Sequence, residues 1–359
     1  MRGNYKESRN RPISIIIVNY NGGPLLHEAV AAALSSSVPV EVLISDNGST
    51  DGSLNAVYQT FGKNERVHII SNGSNLGFSC ANNIALKRAN GQYVLLLNPD
   101  CIIQSDTLEQ MLQVMEDNPD AGMAGCLIRN PDGSEQPGCR RAVPTPWRTF
   151  VRVLHLNRLF PNNPKFRTFL LHQEPLPSAP NTVEAISGAF MLVRRDALEQ
   201  VGLLDANYFM HCEDIDWCMR FRQAGWNIIF VPNVEVLHYK GACSKGHPIR
   251  VLYHMHRGMI RFYRKFFRRQ YPVPLMAIVI STVWARFLTL AGKEILKQPF
   301  RKQPIVEPCL APPINHERRN PAPVVAYIGP ERRVLDKKPA PAFHGQYSGK
   351  RGPSSHEHI

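Results

Sequence analysis

Along the first hundred residues, short apolar runs alternate with stretches whose apolar positions recur at three and four. Ile13 to Tyr20 is an apolar, largely β-branched run and predicts a strand. A turn cluster follows, Asn19-Tyr20-Asn21-Gly22-Gly23, and Pro24 suits the first turn of a helix. Leu25, Leu26, Ala29, Val30, Ala33 and Leu34 give that helix one apolar face. Val40 to Ser45 predicts a second strand, ending in Asp46-Asn47-Gly48-Ser49-Thr50-Asp51-Gly52, with Leu54, Val57 and Phe61 marking the next helix. Val67 to Ser71 predicts a third strand and Ser79 to Ala89 a third helix, with Asn82 and Asn83 near its start. Tyr93 to Leu97 has no polar break, the pattern of a strand buried on both faces. Pro99 ends it, because proline cannot donate to a ladder. Strand and helix thus alternate, each strand closing in a polar loop, as in the nucleotide-binding half of a doubly wound α/β sheet. Asp100 falls at the carboxyl end of a core strand, where such sheets place their ligands.

The pattern then becomes less regular. Ser105 or Asp106 is the expected cap of a helix bearing Leu108, Met111, Leu112 and Met115, with Glu109 as capping-box partner. Ala121 to Ile128 predicts a strand and Asn130-Pro131-Asp132-Gly133 a turn. Residues 137–182, rich in Pro, Arg and aromatics, have no clean period and are expected to form a loop region over the site. Ala185 to Arg195 predicts one strand containing Ser187-Gly188-Ala189, Asp196 to Val201 a short helix, and Glu213-Asp214 the start of a helix running to Gln223. Asn227–Val231 and Val234–His238 predict two further strands.

Charge changes the picture at the C-terminal side. Residues 1–239 carry 20 Lys and Arg against 23 Asp and Glu, whereas 240–302 carry 14 against one, Glu294. The net +13 is therefore a property of one segment, which calls for a polyanionic neighbour. In that segment Arg257, Arg261, Arg264, Lys265 and Arg268 share one helical face, and Met259, Phe262, Tyr263, Phe266 and Phe267 another. A basic amphipathic helix with aromatics predicts a membrane-surface element; a solvated face over core and nucleic-acid binding are the competing readings. Leu275 to Gly292 is mostly apolar but holds Arg286. A clean span needs about 20 apolar residues, and a central arginine costs at least about 2.5 kcal/mol. A helix lying in the membrane interface is expected, with a short span as the alternative. Residues 303–359 are proline-rich and polar and are expected to be disordered.

At 359 residues and 43% hydrophobic, the chain can build a substantial core. Its eight cysteines include no CxxC pair and no zinc-type spacing, which fits reduced thiols in the cytosol. Met1 to Pro12 is polar and basic, so no secretory leader is expected. The loops hold neither GxGxxG nor a P-loop, which argues against a dinucleotide or triphosphate cradle.

Two clusters suggest chemistry. Glu213-Asp214-Ile215-Asp216 places three carboxylates at a helix N-terminus, either as complements to the dipole or as bases whose pKa partial burial raises. His238 ends a strand in Val236-Leu237-His238-Tyr239; sharing a cleft with Asp100, it would be a second ligand for a divalent ion.

Six blocks in order resemble glycosyltransferase family 2: Ser14 to Asn21, Ser45 to Gly52, Asn75 to Asn83, Leu97 to Asp100, Ser187 to Met191 and Glu213 to Asp216. The Asn-Leu-Gly-Phe and Asn-Pro-Asp forms are most similar to its rhamnosyltransferase-like branch. The resemblance implies a GT-A fold and an inverting sugar transfer from a nucleotide-diphosphate sugar, dTDP-rhamnose favoured and a UDP-sugar possible. The acceptor implied is a lipid-linked or cell-surface glycan. Asp100 resembles the last residue of the family's Asp-x-Asp motif and would hold Mg²⁺ or Mn²⁺, with His238. Asn98 stands where many members have the first aspartate, so one charge is missing. Asp46 lies where members contact the base. Asn19, Tyr20, Asn21, Asn47, Ser49, Gly77, Asn83 and Asn98 are the other expected donor contacts. Asp214 resembles the catalytic base, with Glu213 its rival; Gly188 and Trp217 are the expected acceptor contacts.

The implied domains are a flexible N-terminus (1–12), a GT-A domain (13–255, with donor half 13–104 and acceptor half 105–255), membrane-associated helices (256–302) and the tail (303–359). The expected location is cytoplasmic, peripheral on an anionic membrane's inner face, with no nucleic-acid partner. A nucleotidyltransferase on a related sheet is the competing enzyme reading, but the loop at 21–24 has no basic residue for a triphosphate.

Overall fold

The apolar runs become the middle of one mixed sheet. β1 (Ile13–Asn19) is buried at all seven positions, β2 (Val40–Asp46) at six of seven and β4 (Tyr93–Leu97) at all five, as strands covered by helices on both faces must be. β3 (Val67–Ser71) lies at the edge and alternates accordingly. In this computed structural model, which describes residues 12–160, 163–241 and 247–297, β1 pairs parallel with β2 and with β4, and β2 parallel with β3. Between them run α1 (Gly23–Leu34), α2 (Ser53–Phe61) and α3 (Phe78–Leu86).

The second half extends the sheet by reversing it. β5 (Cys101–Ile102), α4 (Thr107–Asp117) and β6 (Ala121–Arg129) follow β4. β7 (Arg140–Arg141), α5 (Pro146–Val153) and α6 (Leu156–Leu159) occupy the segment expected to be loop, which also contributes β8 (Asn181–Thr182). Thr145 caps α5 by accepting from the Arg148 N–H at 3.1 Å, ahead of Pro146 in the first turn. The strand expected over 185–195 is split into β9 (Ala185–Ile186) and β10 (Phe190–Arg194) by Ser187-Gly188-Ala189. After α7 (Arg195–Val201) and α8 (Glu213–Gln223), the two strands expected over 227–238 are one, β11 (Asn227–His238). Its register slips between Val231 and Glu235, where Pro232 cannot join the ladder. The strand order is β3-β2-β1-β4-β10-β6-β11-β5, with β8 on β11 and β7 paired to β9 apart. At α4 the expected capping box is not formed. Asp106 accepts from the Gln110 side chain at 2.8 Å, and Glu109 takes the Ser37 hydroxyl.

This topology fixes where the polar loop residues go. β10 is antiparallel to both β4 and β6, and β11 is parallel to β6. The carboxyl ends of β1, β2, β4 and β11 and the amino end of β10 therefore share one edge of the sheet. Asn19, Asp46, Asn98 to Asp100, Gly188 and His238 all lie along it.

α9 (Pro248–Phe266) and α10 (Val273–Lys297) complete the described chain. The aromatic face expected to meet a membrane is instead core: Phe262 and Tyr263 are fully buried and Phe267 nearly so, packed with the sheet's own cluster. The Tyr263 hydroxyl donates to Thr149 Oγ1 on α5 at 2.7 Å. The expected boundary at 255/256 falls inside α9. α10 is different: Val273, Ile278, Leu288 and Leu296 are largely exposed. Arg286, the interruption in this apolar helix, turns to α9 and donates to His256 Nε2 at 3.0 Å. The expected tail and the first eleven residues lie outside the described residues.

Candidate active site

Asp100 and His238 meet because β5 pairs antiparallel with the end of β11, setting Cys101 opposite His238. His238 Nε2 lies 3.0 Å from Asp100 Oδ1 and 3.3 Å from Asn98 Nδ2, and both Asp100 and His238 are buried. His238 Nδ1 lies 2.7 Å from Gln136 Oε1, while Gln136 donates its own amide to Asn130 Oδ1 at 2.9 Å. That chain of amides orients the ring with Nδ1–H toward Gln136 and turns Nε2 to the Asp100 carboxylate. The donor set of carboxylate, imidazole and amide fits a divalent ion of Mg²⁺ or Mn²⁺ type, with places left for ligands other than protein. Among the described residues no group of three or more His, Cys, Asp or Glu converges. Gln136, which orients the imidazole, carried no signal in the sequence beyond its neighbouring turn.

The loops after β1 and β2 form a tied cluster. Asn19 is buried; its Nδ2 donates to Asp46 Oδ1 at 2.8 Å and to Ser49 Oγ at 2.9 Å, and its Oδ1 accepts from the Gly22 N–H at 3.1 Å. Asp46 Oδ2 accepts from the Gly48 and Ser49 N–H groups at 3.0 and 3.1 Å. Ser49 Oγ donates to Asp46 Oδ1 and accepts from the Asn21 N–H at 3.0 Å, while Asn21 Oδ1 accepts from the Thr50 N–H at 2.8 Å. Asn47 bridges Asn72 to the Gly77 carbonyl. Three of the residues expected as donor contacts also hold loops or neighbouring segments in place. Asn19 and Asn47 have their amides engaged in holding loops, and Asn83 is latched to Leu204 at both ends, donating to its carbonyl at 2.8 Å and accepting from its N–H at 3.0 Å. Gly77 has φ +86°, and a Cβ there would sit 2.5 Å from the Phe209 carbonyl. Only glycine lets the segment before α8 come so close. Tyr20 is half-buried at the end of β1, and Asn98 is half-buried beside His238.

α8 brings the acids. Its N-terminus is entered through His211 and Cys212, both at positive φ (64° and 71°), a strained approach for residues with side chains. Asp214 Oδ2 pairs with Arg141 Nη2 and lies 3.4 Å from the Gly188 N–H; Oδ1 accepts from the Ile215 N–H at 2.8 Å. A Cβ at Gly188 would lie in ordinary contact, 3.4 Å, with Asp214 Cβ, so the backbone there runs directly beside the acid. The Asn98 N–H donates to the Ala189 carbonyl at 3.0 Å. The three residues Ser187 to Ala189 thus join the Asp100 side of the edge to Asp214.

The expected rise in pKa falls on the neighbour. Burial, reinforced by the charge of Asp214, pushes Glu213 up to about 8, and its Oε2 has no partner. Burial also opposes ionisation of Asp214, but Arg141's charge and hydrogen bond outweigh it and hold this carboxyl below the usual range. Arg141 sits on β7, inside the segment read as irregular loop, and no sequence signal singled it out. Asp216 is fully buried and is held by Lys265 at 2.7 Å and Arg220 at 2.9 Å, a structural ion-pair knot. Trp217, expected at the acceptor, is fully buried; its Nε1–H donates to the Gly202 carbonyl at 2.9 Å. It faces inward and packs edge-on against Phe221, one turn further along α8.

The family model for Glycosyl transferase family 2 matches residues 14–202. The chain belongs to that family. It is a glycosyltransferase with a GT-A fold. A Mycobacterium tuberculosis N-acetylglucosaminyl-diphospho-decaprenol L-rhamnosyltransferase is 31% identical to it over 307 residues, covering 82% of this chain and 98% of the relative. The Escherichia coli rhamnosyltransferase WbbL is 31% identical over 174 residues, covering 46% of this chain and 62% of the relative. Among solved structures, a Pyrobaculum calidifontis mannosyltransferase in complex with GDP-Man and Mn²⁺ matches the glycosyltransferase's fold with a TM-score of 0.50 at 18% identity, covering 82% of this chain and 77% of that one.

Proposed function

We propose that this glycosyltransferase moves L-rhamnose, or a related deoxyhexose, from a dTDP-sugar to a lipid-linked glycan, with inversion, at the cytoplasmic face of a membrane. The observation that carries the proposal is the shared edge. A cation-binding pair, Asp100 and His238, and an ionised carboxylate, Asp214, flank the same backbone turn, Ser187 to Ala189. The two relatives named for rhamnosyl transfer favour the sugar, and the one named for a diphospho-decaprenol favours the lipid carrier.

A Mg²⁺ or Mn²⁺ ion held by Asp100 and His238 would neutralise the charge that builds on the departing nucleoside diphosphate. Asn98 adds an amide beside that ion in place of a second carboxylate. Asp214 is the base. It is ionised at neutral pH and so can take the acceptor's hydroxyl proton, whereas Glu213, protonated up to about 8, cannot. Arg141 orients Asp214 and keeps it ionised. The tied loops after β1 and β2 fix the cleft wall against which the base and ribose of the donor pack, Tyr20, Asn21 and Asp46 among them. α10 lies along the membrane with its exposed apolar face.

A panel of nucleotide sugars, offered to the purified chain with and without Mn²⁺, tests this. The expected result is metal-dependent binding and slow hydrolysis of dTDP-rhamnose ahead of UDP- and GDP-sugars. Preference for another base and sugar overturns the donor; binding indifferent to Mn²⁺ overturns the role of Asp100 and His238.

A further inference from the structure

A second recess is lined in part by the segment that enters α8. A cavity of about 640 Å³ opens between α9, α10 and Asn207 to Phe209, lined by Tyr253, Arg257, Arg261, Arg264 and Trp284, among others. Its floor is continuous with the catalytic segment. Phe209 stands four residues before Glu213, and Gly258 on α9 packs so closely beneath His211 that a Cβ there would sit 2.8 Å from the His211 carbonyl. The charges divide unevenly. Arg261 and Lys265 are both held by Asp205, at 2.8 and 3.0 Å. Arg257 and Arg264 are exposed, and among the described residues neither has a carboxylate within 4.0 Å. The walls of the recess are aromatic, Tyr253 lying 6.2 Å from Trp284 between ring centroids. From Trp284 an exposed apolar track runs along α10 at helical spacing through Leu288 and Ile295, which are 67% and 55% exposed.

Two guanidinium groups without anionic partners, aromatic walls and an apolar track leading away match one kind of molecule, a diphosphate joined to a long hydrocarbon. We propose that this recess seats the diphosphate of an isoprenoid-diphosphate-linked acceptor, held by Arg257 and Arg264, with its first isoprene units against Trp284 and the track along α10. The proposal rests on the reading of the chain as a transferase to lipid-linked glycans. It adds where the carrier is gripped: in the recess between α9 and α10 whose floor is the segment that enters α8.

The test uses the full chain in a neutral detergent, with farnesyl diphosphate as probe, EDTA to silence the cation pair, and farnesol and phosphatidylglycerol vesicles as controls. Arg257→Gln with Arg264→Gln is expected to weaken farnesyl diphosphate by about tenfold or more while leaving farnesol unchanged. Asp100→Ala is expected to leave farnesyl diphosphate binding intact. Wild-type affinity in the double variant overturns the site. So does an equal loss in Asp100→Ala, which would put the diphosphate in the donor pocket, or a loss confined to the vesicles, which would make the two arginines a general membrane contact. Failure of sugar transfer itself would appear separately, as no turnover of any nucleotide sugar by a chain that still binds farnesyl diphosphate.

Discussion

The two halves of the sheet edge treat their polar groups in opposite ways. In the loops after β1 and β2, Asn19, Asp46, Asn47 and Ser49 satisfy one another so fully that the cluster behaves as a rigid wall. Around the start of α8, groups are left unresolved. Arg141 Nε and Glu213 Oε2 are buried without partners, two residues hold left-handed backbone, and a protonated and an ionised carboxylate stand side by side. Buried groups of this kind cost about 1–3 kcal/mol each, and proteins tolerate them mainly where function requires it. On the proposed mechanism the difference separates scaffold from chemistry: the donor half gives shape, and the acceptor half holds Asp214, the proposed proton acceptor.

Removing that acceptor is the severest way to break the comparison. Asp214→Asn keeps the shape and the Ile215 contact but cannot take a proton. Transfer is expected to fall by about 10³-fold or more while nucleotide-sugar affinity changes less than about twofold. Steady-state transfer rates beside equilibrium donor binding check this, and an active variant would hand the role to Glu213. Next in size is a stability effect. Glu213 is protonated in the folded chain up to about 8, whereas an unfolded glutamate ionises near its ordinary value of 4.5. Folding therefore retains a proton in that window, so stability falls as pH rises from roughly 4.5 through about 8. Glu213→Gln removes this dependence. The variant is expected to gain on the order of a few kcal/mol over wild type at pH 9 and little at pH 5, as measured by denaturant melts.

The parallel core and the acids at its edge were legible because unbroken apolar strands and the loops that end them are local patterns. β1, β3 and β4 begin at the expected residues. What was not legible is long-range. Arg141 reaches Asp214 only through the β7–β9 pairing, across 73 residues of chain. Gln136 reaches His238 across 102. The aromatic face of α9 was misjudged because amphipathicity says that a face will be covered, not by what. The sheet covers it, and the exposed apolar surface belongs to α10 instead. Asparagines in loops are harder to assign for a related reason: a side chain that ties a turn and one that meets a ligand have the same sequence signature.

The smallest effect sharpens that last point. Asn83 was grouped with the donor contacts, yet its amide donates to the Leu204 carbonyl and accepts from the Leu204 N–H, tying α3 to the stretch before α8. Asn83→Ala leaves both backbone groups without that partner and removes no charge. The cost expected is about 1–2 kcal/mol of folding stability, read from denaturant midpoints at unchanged slope. A ligand contact would behave differently, losing donor affinity at constant stability. Since the latch holds the strap carrying Phe209 against Gly77, any change in catalysis should follow the loss of folded structure and disappear at lower temperature. Donor affinity that falls while the midpoint stays fixed would return Asn83 to the donor pocket and blur the line between the two halves.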